Sequence, residues 1–394
     1  MPINIKDKKK CSGCTACQQI CPKHCINMFS DNEGFLYPKV DLKNCINCGL
    51  CEKACPDINP LECRLPINCY AVKNKNLDIR KESSSGGVFS LLAEKVLSQK
   101  GVVFGARFDS HWQVVMDYTE NIEGLDKFRG SKYVKCDIGD TYSKVKDFLS
   151  SGRKVLYSGS SCQIAGLRKF LKHDYENLLF VDYLCHGAPS PLLWKKYIEE
   201  ISRNDVSSLT NISFRNKKRG WKNFSIIIKR GKEVLVDSVF SENIYMRAFL
   251  SDISLRPSCY QCSARNGHSG ADITIGDHWA IRDINSSFDD NEGVSLVLIN
   301  TEKGSCAFED LNANIIETDF VESKKWNGAF YDKTEEHLHR KRFFRKLQYR
   351  TDGMVAVGYL VGIPTSFQVP WVVYEVADVS VTTLFHHRFD AVVC

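Results

Sequence analysis

The sequence predicts an α+β or mixed α/β chain: a small cysteine-rich module followed by a larger mixed-sheet domain. Three observations carry that expectation. Two matching runs, Cys11-x-x-Cys14-x-x-Cys17-x-x-x-Cys21-Pro22 and Cys45-x-x-Cys48-x-x-Cys51-x-x-x-Cys55-Pro56, open the chain with a period of 34 residues. From Ser83 onward, amphipathic stretches of helical period alternate with short apolar runs bounded by Gly and Ser. Further on, strand-like segments follow one another without helices between them, which adds antiparallel pairing to what would otherwise be a doubly wound sheet.

Each cysteine run has the spacing that holds a bacterial-type 4Fe–4S cluster, in which the fourth cysteine ligates the other run's cluster. The first cluster then takes Cys11, Cys14, Cys17 and Cys55, and the second takes Cys45, Cys48, Cys51 and Cys21. Thiolates two apart on a tight loop face one cubane, and the proline after the last one breaks the chain away. A pair of zinc sites uses similar Cys-x-x-Cys spacings, but zinc gives no reason for two matching four-cysteine runs ending in Cys-Pro. A helical repeat array also has periods near this length, but the cysteine-dominated copies carry no helical signature. Residues 1–62 therefore read as a two-cluster ferredoxin module that moves electrons. Cys25, Cys63 and Cys69 read as spare thiols, and residues 63–81 as a polar linker.

At 394 residues with 43% hydrophobic content, the chain has room for the module and a sizeable core. The formal net charge of +6 omits the negative charge of thiolate clusters, so no nucleic-acid partner is read from it. Eighteen cysteines in a chain this long do not fit a small disulfide scaffold. No charged segment followed by an apolar run opens the chain, and no apolar stretch approaches the roughly 18 residues needed to span a bilayer. The expected compartment is a reducing cytoplasm.

In the larger domain, Ser83-Ser84-Ser85-Gly86-Gly87 leads into a helix from Val88 to about Lys100, with Val88, Leu92 and Val96 on one face. Strands are expected at 102–108, 113–118, 154–157 and 178–184, with helices at 141–149, 163–171 and 191–202. Further strands are expected at 211–215, 223–229, 233–237 and 272–275. Residues 351–394 contain no lysine and run Val-rich, an atypical tail with no functional reading.

Four features of this domain could carry chemistry. Ser84 to Gly87 either receives an anion at the helix N-terminus or is an ordinary capped helix start. Gly159 to Cys162 again joins a strand to a helix, where the helix dipole favours a thiolate at Cys162. Cys185 ends the next strand, and Cys259-x-x-Cys262 supplies a close pair. These four cysteines form a third metal site, or else two are structural and the pair is zinc-type, completed by His186 or His268. Spacing leaves both readings open. The basic turn Phe214 to Trp221 reads as a solvated hairpin tip or an anion attractor. His278 reads as packed or hydrogen-bonded rather than catalytic.

Together these stretches resemble the coenzyme F-420 hydrogenase/dehydrogenase beta-subunit family. The matching segments are Ser84-Ser85-Gly86-Gly87-Val88-Phe89-Ser90, Gly130-Ser131-Lys132-Tyr133-Val134, Gly159-Ser160-Ser161-Cys162-Gln163-Ile164-Ala165-Gly166-Leu167-Arg168, Asp182 to Pro191, Phe214 to Trp221, Cys259-Tyr260-Gln261-Cys262 and Asp272 to Trp279. They run in family order through residues 82–350. The resemblance implies a flavin-binding domain that holds FAD and a third 4Fe–4S cluster on Cys162, Cys185, Cys259 and Cys262. It implies flavin contacts from Ser84, Ser85, Gly86, Gly87, Ser131, Lys132, Tyr133, Gly159, Ser160 and Ser161. Ser161 stands where the family commonly has Pro, and His278 and Ala280 replace the usual Phe and Gly. These departures bear on the substrate face.

The function that follows is an oxidoreductase passing electrons between a small-molecule hydride donor or acceptor at FAD and a ferredoxin or partner subunit. Lys132, Asp182 and His186 are the acid–base candidates by loop position. Relatives implied by the resemblance use F-420, reduce tetrapyrrole side groups, or accompany polysaccharide biosynthesis. A relay subunit with no substrate of its own is the alternative, and a zinc-bearing binding protein a third reading.

Overall fold

The computed structural model describes residues 1–328 and 334–349, so the atypical tail lies outside the described residues. In the module, β1 (Ile26–Ser30) and β2 (Leu36–Val40) pair antiparallel. The Asp31 carboxylate accepts from the amides of Glu33 and Phe35 and fixes the turn between them.

The larger part begins earlier than the sequence suggests. Residues 63–81 are not a linker: they contain β3 (Asn68–Asn74) and most of the helix Leu77–Glu82. β3 lies inside the main sheet with Cys69, Ala71 and Val72 buried. Then come β4 (Val102–Phe108), β5 (Val114–Thr119), β6 (Val155–Ser160), β7 (Leu178–Tyr183), β8 (Asn211–Asn216), β9 (Ser225–Arg230), β10 (Glu233–Val239), β11 (Ile273–Asp277), β12 (Ser295–Ile299) and β13 (Ala313–Glu317). The eight-stranded sheet has the order β13-β3-β12-β11-β7-β6-β4-β5. Its central strands β11, β7, β6 and β4 run parallel, while β5 on one side and β12, β3 and β13 on the other pair antiparallel. This is the mixed sheet the sequence predicts.

Strand alternation builds two cores on the sheet's faces. Val102 and Phe104 of β4 face the helices Thr141–Ser150 and Ser161–Leu171. Val103 between them faces the helix Val88–Ser98 and Phe308 of the helix Glu302–Phe308. A separate antiparallel sheet, β10-β9-β8, packs against the helices Pro191–Ile201, Ile244–Leu250 and Arg340–Tyr349 around Trp194, Phe214 and Tyr245. Among the described residues, no helix is long and apolar enough to cross a membrane.

The consequence for function lies in the parallel strands. β6, β7 and β11 end on one edge of the sheet, so the loops after Ser160 and Tyr183 open together. The three-stranded sheet closes over that edge, and β8 delivers Arg215 to it.

Candidate functional site

The two cysteine runs repeat their backbone as well as their spacing. Gly13 and Thr15 in the first run have φ of 69° and 59°, and Asn47 and Gly49 in the second have 54° and 72°. Left-handed residues at these alternate positions curl the loop so that its amides point inward, a concavity for an anion. Short helices, Ala16–Gln19 and Leu50–Lys53, carry Cys17 and Cys51.

The thiol of Cys14 feels Cys17 and Cys55, that of Cys17 feels Cys11 and Cys55 and, less, Cys51, and that of Cys55 feels Cys11. Burial is the main cause holding these thiols protonated, with Cys55 pushed up to about 11. Iron bound there would replace such protons and supply the missing positive charge. The second set, Cys21, Cys45, Cys48 and Cys51, lines one small cavity, into which the amide of Ile3 donates to the Cys51 Sγ at 3.3 Å. Cys25 lines it too, its Sγ 3.4 Å from that of Cys21. The other two spare thiols are engaged elsewhere: Cys63 donates to the carbonyl of Asn266, and Cys69 meets the Thr318 hydroxyl.

The third set also converges. Cys162 opens the helix Ser161–Leu171, Cys185 follows β7, and Cys259 lies within the tight turn Pro257–Gln261 that Cys262 ends. Cys185 feels Cys259, Cys162 and Cys262, and Cys262 feels Cys162 and Cys259. Burial, the largest cause, pushes the Cys262 thiol up to about 12. The Ala188 amide donates to the Cys259 Sγ at 3.3 Å. Among the described residues, no three His, Cys, Asp or Glu side chains close tightly enough for a single metal ion. A four-iron cubane keeps its thiolates farther apart than one zinc does. His186 and His268, candidates to complete a zinc site, bind elsewhere: His268 meets the Leu61 carbonyl at 2.7 Å, and His186 meets Asp252.

Beside Cys185 lies a cavity of about 320 Å³ at the carboxyl edge of the sheet. Ser84, Ser85, Gly87, Ser131, Lys132, Tyr133, Gly159, Ser160 and His186 line it, and Phe224, Phe249 and Trp279 supply aromatic walls. Gly86 and Ser161, expected to touch the same ligand, lie outside it. Gly86 is wedged against the Val72 carbonyl and the Ser295 amide, leaving no room for a Cβ. Ser161 instead donates its hydroxyl to Asp182 at 2.8 Å.

Of the acid–base candidates, Asp182 is also set apart. It is 2% exposed at the end of β7, and burial pushes its carboxyl up to about 6. Lys132 borders the cavity, but its Nζ donates to the carbonyls of Phe128, Arg129 and Gly130 at 3.0–3.2 Å. All three ammonium hydrogens are occupied in holding that turn. His186 remains: its Nε2 stands 2.7 Å from Asp252 Oδ1, and its ring packs edge-on against Phe249.

The basic turn is no solvated tip. Arg215 lines the cavity, grips Asp277 at 2.9 and 3.0 Å and touches the Tyr133 hydroxyl at 3.1 Å, and its buried Nε has no partner among the described residues. Lys217 donates to the carbonyls of Arg80, Ser85 and Glu292 at 2.7–2.8 Å, anchoring the Ser84–Gly87 loop from behind. Only Lys218 and Arg219 turn outward, to Asp237. The basic turn offered Arg215 as one of several anion attractors, but sequence spacing held no cue to Lys135 and Cys136, which line the same cavity because the turn after Ser131 puts them there. His278 is fully buried, with neither ring nitrogen partnered among the described residues.

Residues 152–324 match the family described as the C terminus of the coenzyme F420 hydrogenase/dehydrogenase beta subunit, and residues 10–57 match the 4Fe-4S dicluster domain. No curated protein matches the chain. Among solved structures, a chain of the F420-reducing NiFe hydrogenase complex from Methanosarcina barkeri is similar at 15% identity and a TM-score of 0.48. That likeness covers 74% of this chain and 96% of that one. Residues 152–324 thus carry the C-terminal domain of the coenzyme F420 hydrogenase/dehydrogenase beta subunit, and residues 10–57 carry a 4Fe-4S dicluster domain.

Proposed function

We propose that the chain is an iron–sulfur flavoprotein oxidoreductase, exchanging hydride equivalents at the large cavity and single electrons through three four-iron clusters. One adjacency carries the reading: Cys185 belongs to the third cysteine set and also lines the cavity. The third set in turn abuts the module, because Gly166 on the Cys162 helix packs so closely on Cys14 that an added Cβ would stand 2.8 Å from its Cβ.

The residues at the cavity fit FAD. The unpartnered Arg215 Nε and the start of the helix Val88–Ser98 offer donors to a pyrophosphate, and the aromatic walls suit a flat ring. A flavin bound there would supply the exchange between two-electron and one-electron chemistry. Ser84, Ser85 and Gly87 hold the anionic part with Arg215, while Gly86 lets their loop pass close over β3 and β12. Ser131, Tyr133, Gly159 and Ser160 border the rest. His186, oriented by Asp252, holds or releases a proton at the cavity wall. Lys132 keeps the Phe128–Gly130 turn in place, and Asp182 positions Ser161.

Cys11, Cys14, Cys17 and Cys55 hold the first cluster, Cys45, Cys48, Cys51 and Cys21 the second, and Cys162, Cys185, Cys259 and Cys262 the third. The small-molecule partner is a hydride donor or acceptor of the F-420 kind. A ferredoxin or partner subunit meets the second cluster, where Cys48 and the side chain of Ile46 are exposed. A relay subunit without a substrate has no use for so large a cavity beside Cys185. Replacing Cys162 with Ala tests the assignment: about four of about twelve irons should be lost, with the other eight retained. Unchanged iron in that variant overturns it.

A further inference from the structure

A buried cation, Arg256, and a half-buried one, Lys135, lie between the first and third cysteine sets, and neither has a carboxylate partner among the described residues. Arg256 is 1% exposed and precedes Cys259 by three residues. Its Nε donates to the Cys11 carbonyl at 2.8 Å, and its Nη2 donates to the Leu36 carbonyl at 2.9 Å and lies 3.6 Å from the Cys11 Sγ. Its Nη1 is buried with no partner among the described residues. The guanidinium stacks over the Tyr37 ring at 4.2 Å, and the Gly13 Cα lies so close that an added Cβ would meet it at 2.9 Å. Lys135 places its Nζ 3.9 Å from the Cys162 Sγ and is near enough to Arg256 and Cys259 to feel both charges.

The nearby carboxylate does not neutralise them. Asp57 accepts from the amide and hydroxyl of Ser12, both at 2.7 Å, and from the Ser263 hydroxyl at 2.8 Å. It forms no ion pair with either cation among the described residues. A guanidinium buried without a counter-ion costs several kcal/mol, so the fold has reason to keep Arg256 there only if an anion faces it. A cluster held by four thiolates is such an anion, and it becomes more negative by one charge when it takes up an electron.

We propose that Arg256 and Lys135 are the charge-compensating residues of the junction between the third and first clusters, and that they raise the reduction potentials of both. The inference rests on the proposed three-cluster reading. Each cation stabilises the reduced form of its cluster more than the oxidised form, so both clusters accept an electron more readily. Neither residue bonds to iron: both act on the clusters by position. Burial protects the effect from salt.

The test is an anaerobic potentiometric titration followed by electron paramagnetic resonance, with iron content measured on every sample. Arg256→Met should move the first cluster's signal, identified by its loss in Cys14→Ala, to a more negative midpoint with iron retained. Arg256→Lys, which keeps the charge, should leave the midpoint near its original value. Lys135→Met should move the third cluster's signal in the same direction and the first cluster's less. If Arg256→Met fails to assemble its clusters, Lys135→Met decides. Midpoints unmoved in every variant that retains full iron overturn the proposal. Failure of the three-cluster reading shows separately, as about eight irons in the unaltered protein, and leaves the Arg256 comparison on the first cluster intact.

Discussion

At the scale of single residues, His278 exposes a cost that the motif around it conceals. Its ring is fully buried with no hydrogen-bond partner among the described residues, and burial lowers its pKa from 6.5 to about 4. The folded state therefore keeps it neutral while the unfolded chain protonates it below about pH 6.5. The stability present above that pH is lost progressively as the pH falls toward 4, by roughly 3 kcal/mol over the whole window. His278→Phe, the residue the resemblance puts there, should narrow the drop in melting temperature between pH 7.5 and pH 5. An identical drop in both proteins would contradict this. His186 calls for the opposite outcome: His186→Gln should leave iron and flavin in place and slow turnover of a hydride donor by about 100-fold or more. The sequence set His186, Lys132 and Asp182 side by side as candidates by loop position. What separates them is that Lys132 spends its hydrogen bonds on backbone carbonyls and Asp182 is buried against Ser161, and both depend on loop curvature that spacing does not encode. The same holds for Arg215 and Lys217, which a run of basic residues presents as either a solvated turn or an anion attractor and the structure buries under the Ser84–Gly87 loop.

Among the elements, the helices and strands with clear periodicity lie where the sequence puts them, within a few residues. β3 and β12 do not announce themselves. Ser-Leu-Val-Leu-Ile of β12 is buried on both faces between β11 and β3, so the alternation that marks a half-buried strand is absent. β3 carries Asn at both ends and a Lys within, which reads as polar linker until β12 and β13 pair with it. The join between β3, β12 and the Ser84–Gly87 loop depends on Gly86. Its Cα sits where a side chain would meet the Ser295 amide at 2.6 Å, while its own amide donates to the Ser295 hydroxyl at 2.9 Å. Gly86→Ala should displace that loop, lowering the melting temperature and releasing flavin more readily than iron. A melting curve and flavin content equal to those of the unaltered protein would contradict the reading.

For the whole molecule, the module and the larger domain act as one unit because each supplies parts of the other's surroundings. Arg340, on the last described helix, donates to Glu33 of the module at 3.0 Å and to the Leu255 carbonyl at 2.8 Å, just ahead of Arg256 and Cys259. Arg340→Met leaves Glu33 without its cation and should cost about 3–5 kcal/mol, read as lower resistance to urea under anoxia. Stability within about 1 kcal/mol of the unaltered protein would show the clamp to be unimportant. The two-cluster module was legible in spacing alone, because spacing is what a cubane imposes. The third set needed the fold, since its four cysteines come from three loops that meet only when β6 and β7 run parallel. The central claim is that a flavin cavity feeds three clusters in line. The most direct test is iron, zinc and flavin content of the anaerobically purified protein, measured on one sample. The account predicts about twelve irons and one FAD per chain with no zinc, whereas about eight irons without flavin would contradict it and confine the chemistry to the N-terminal module.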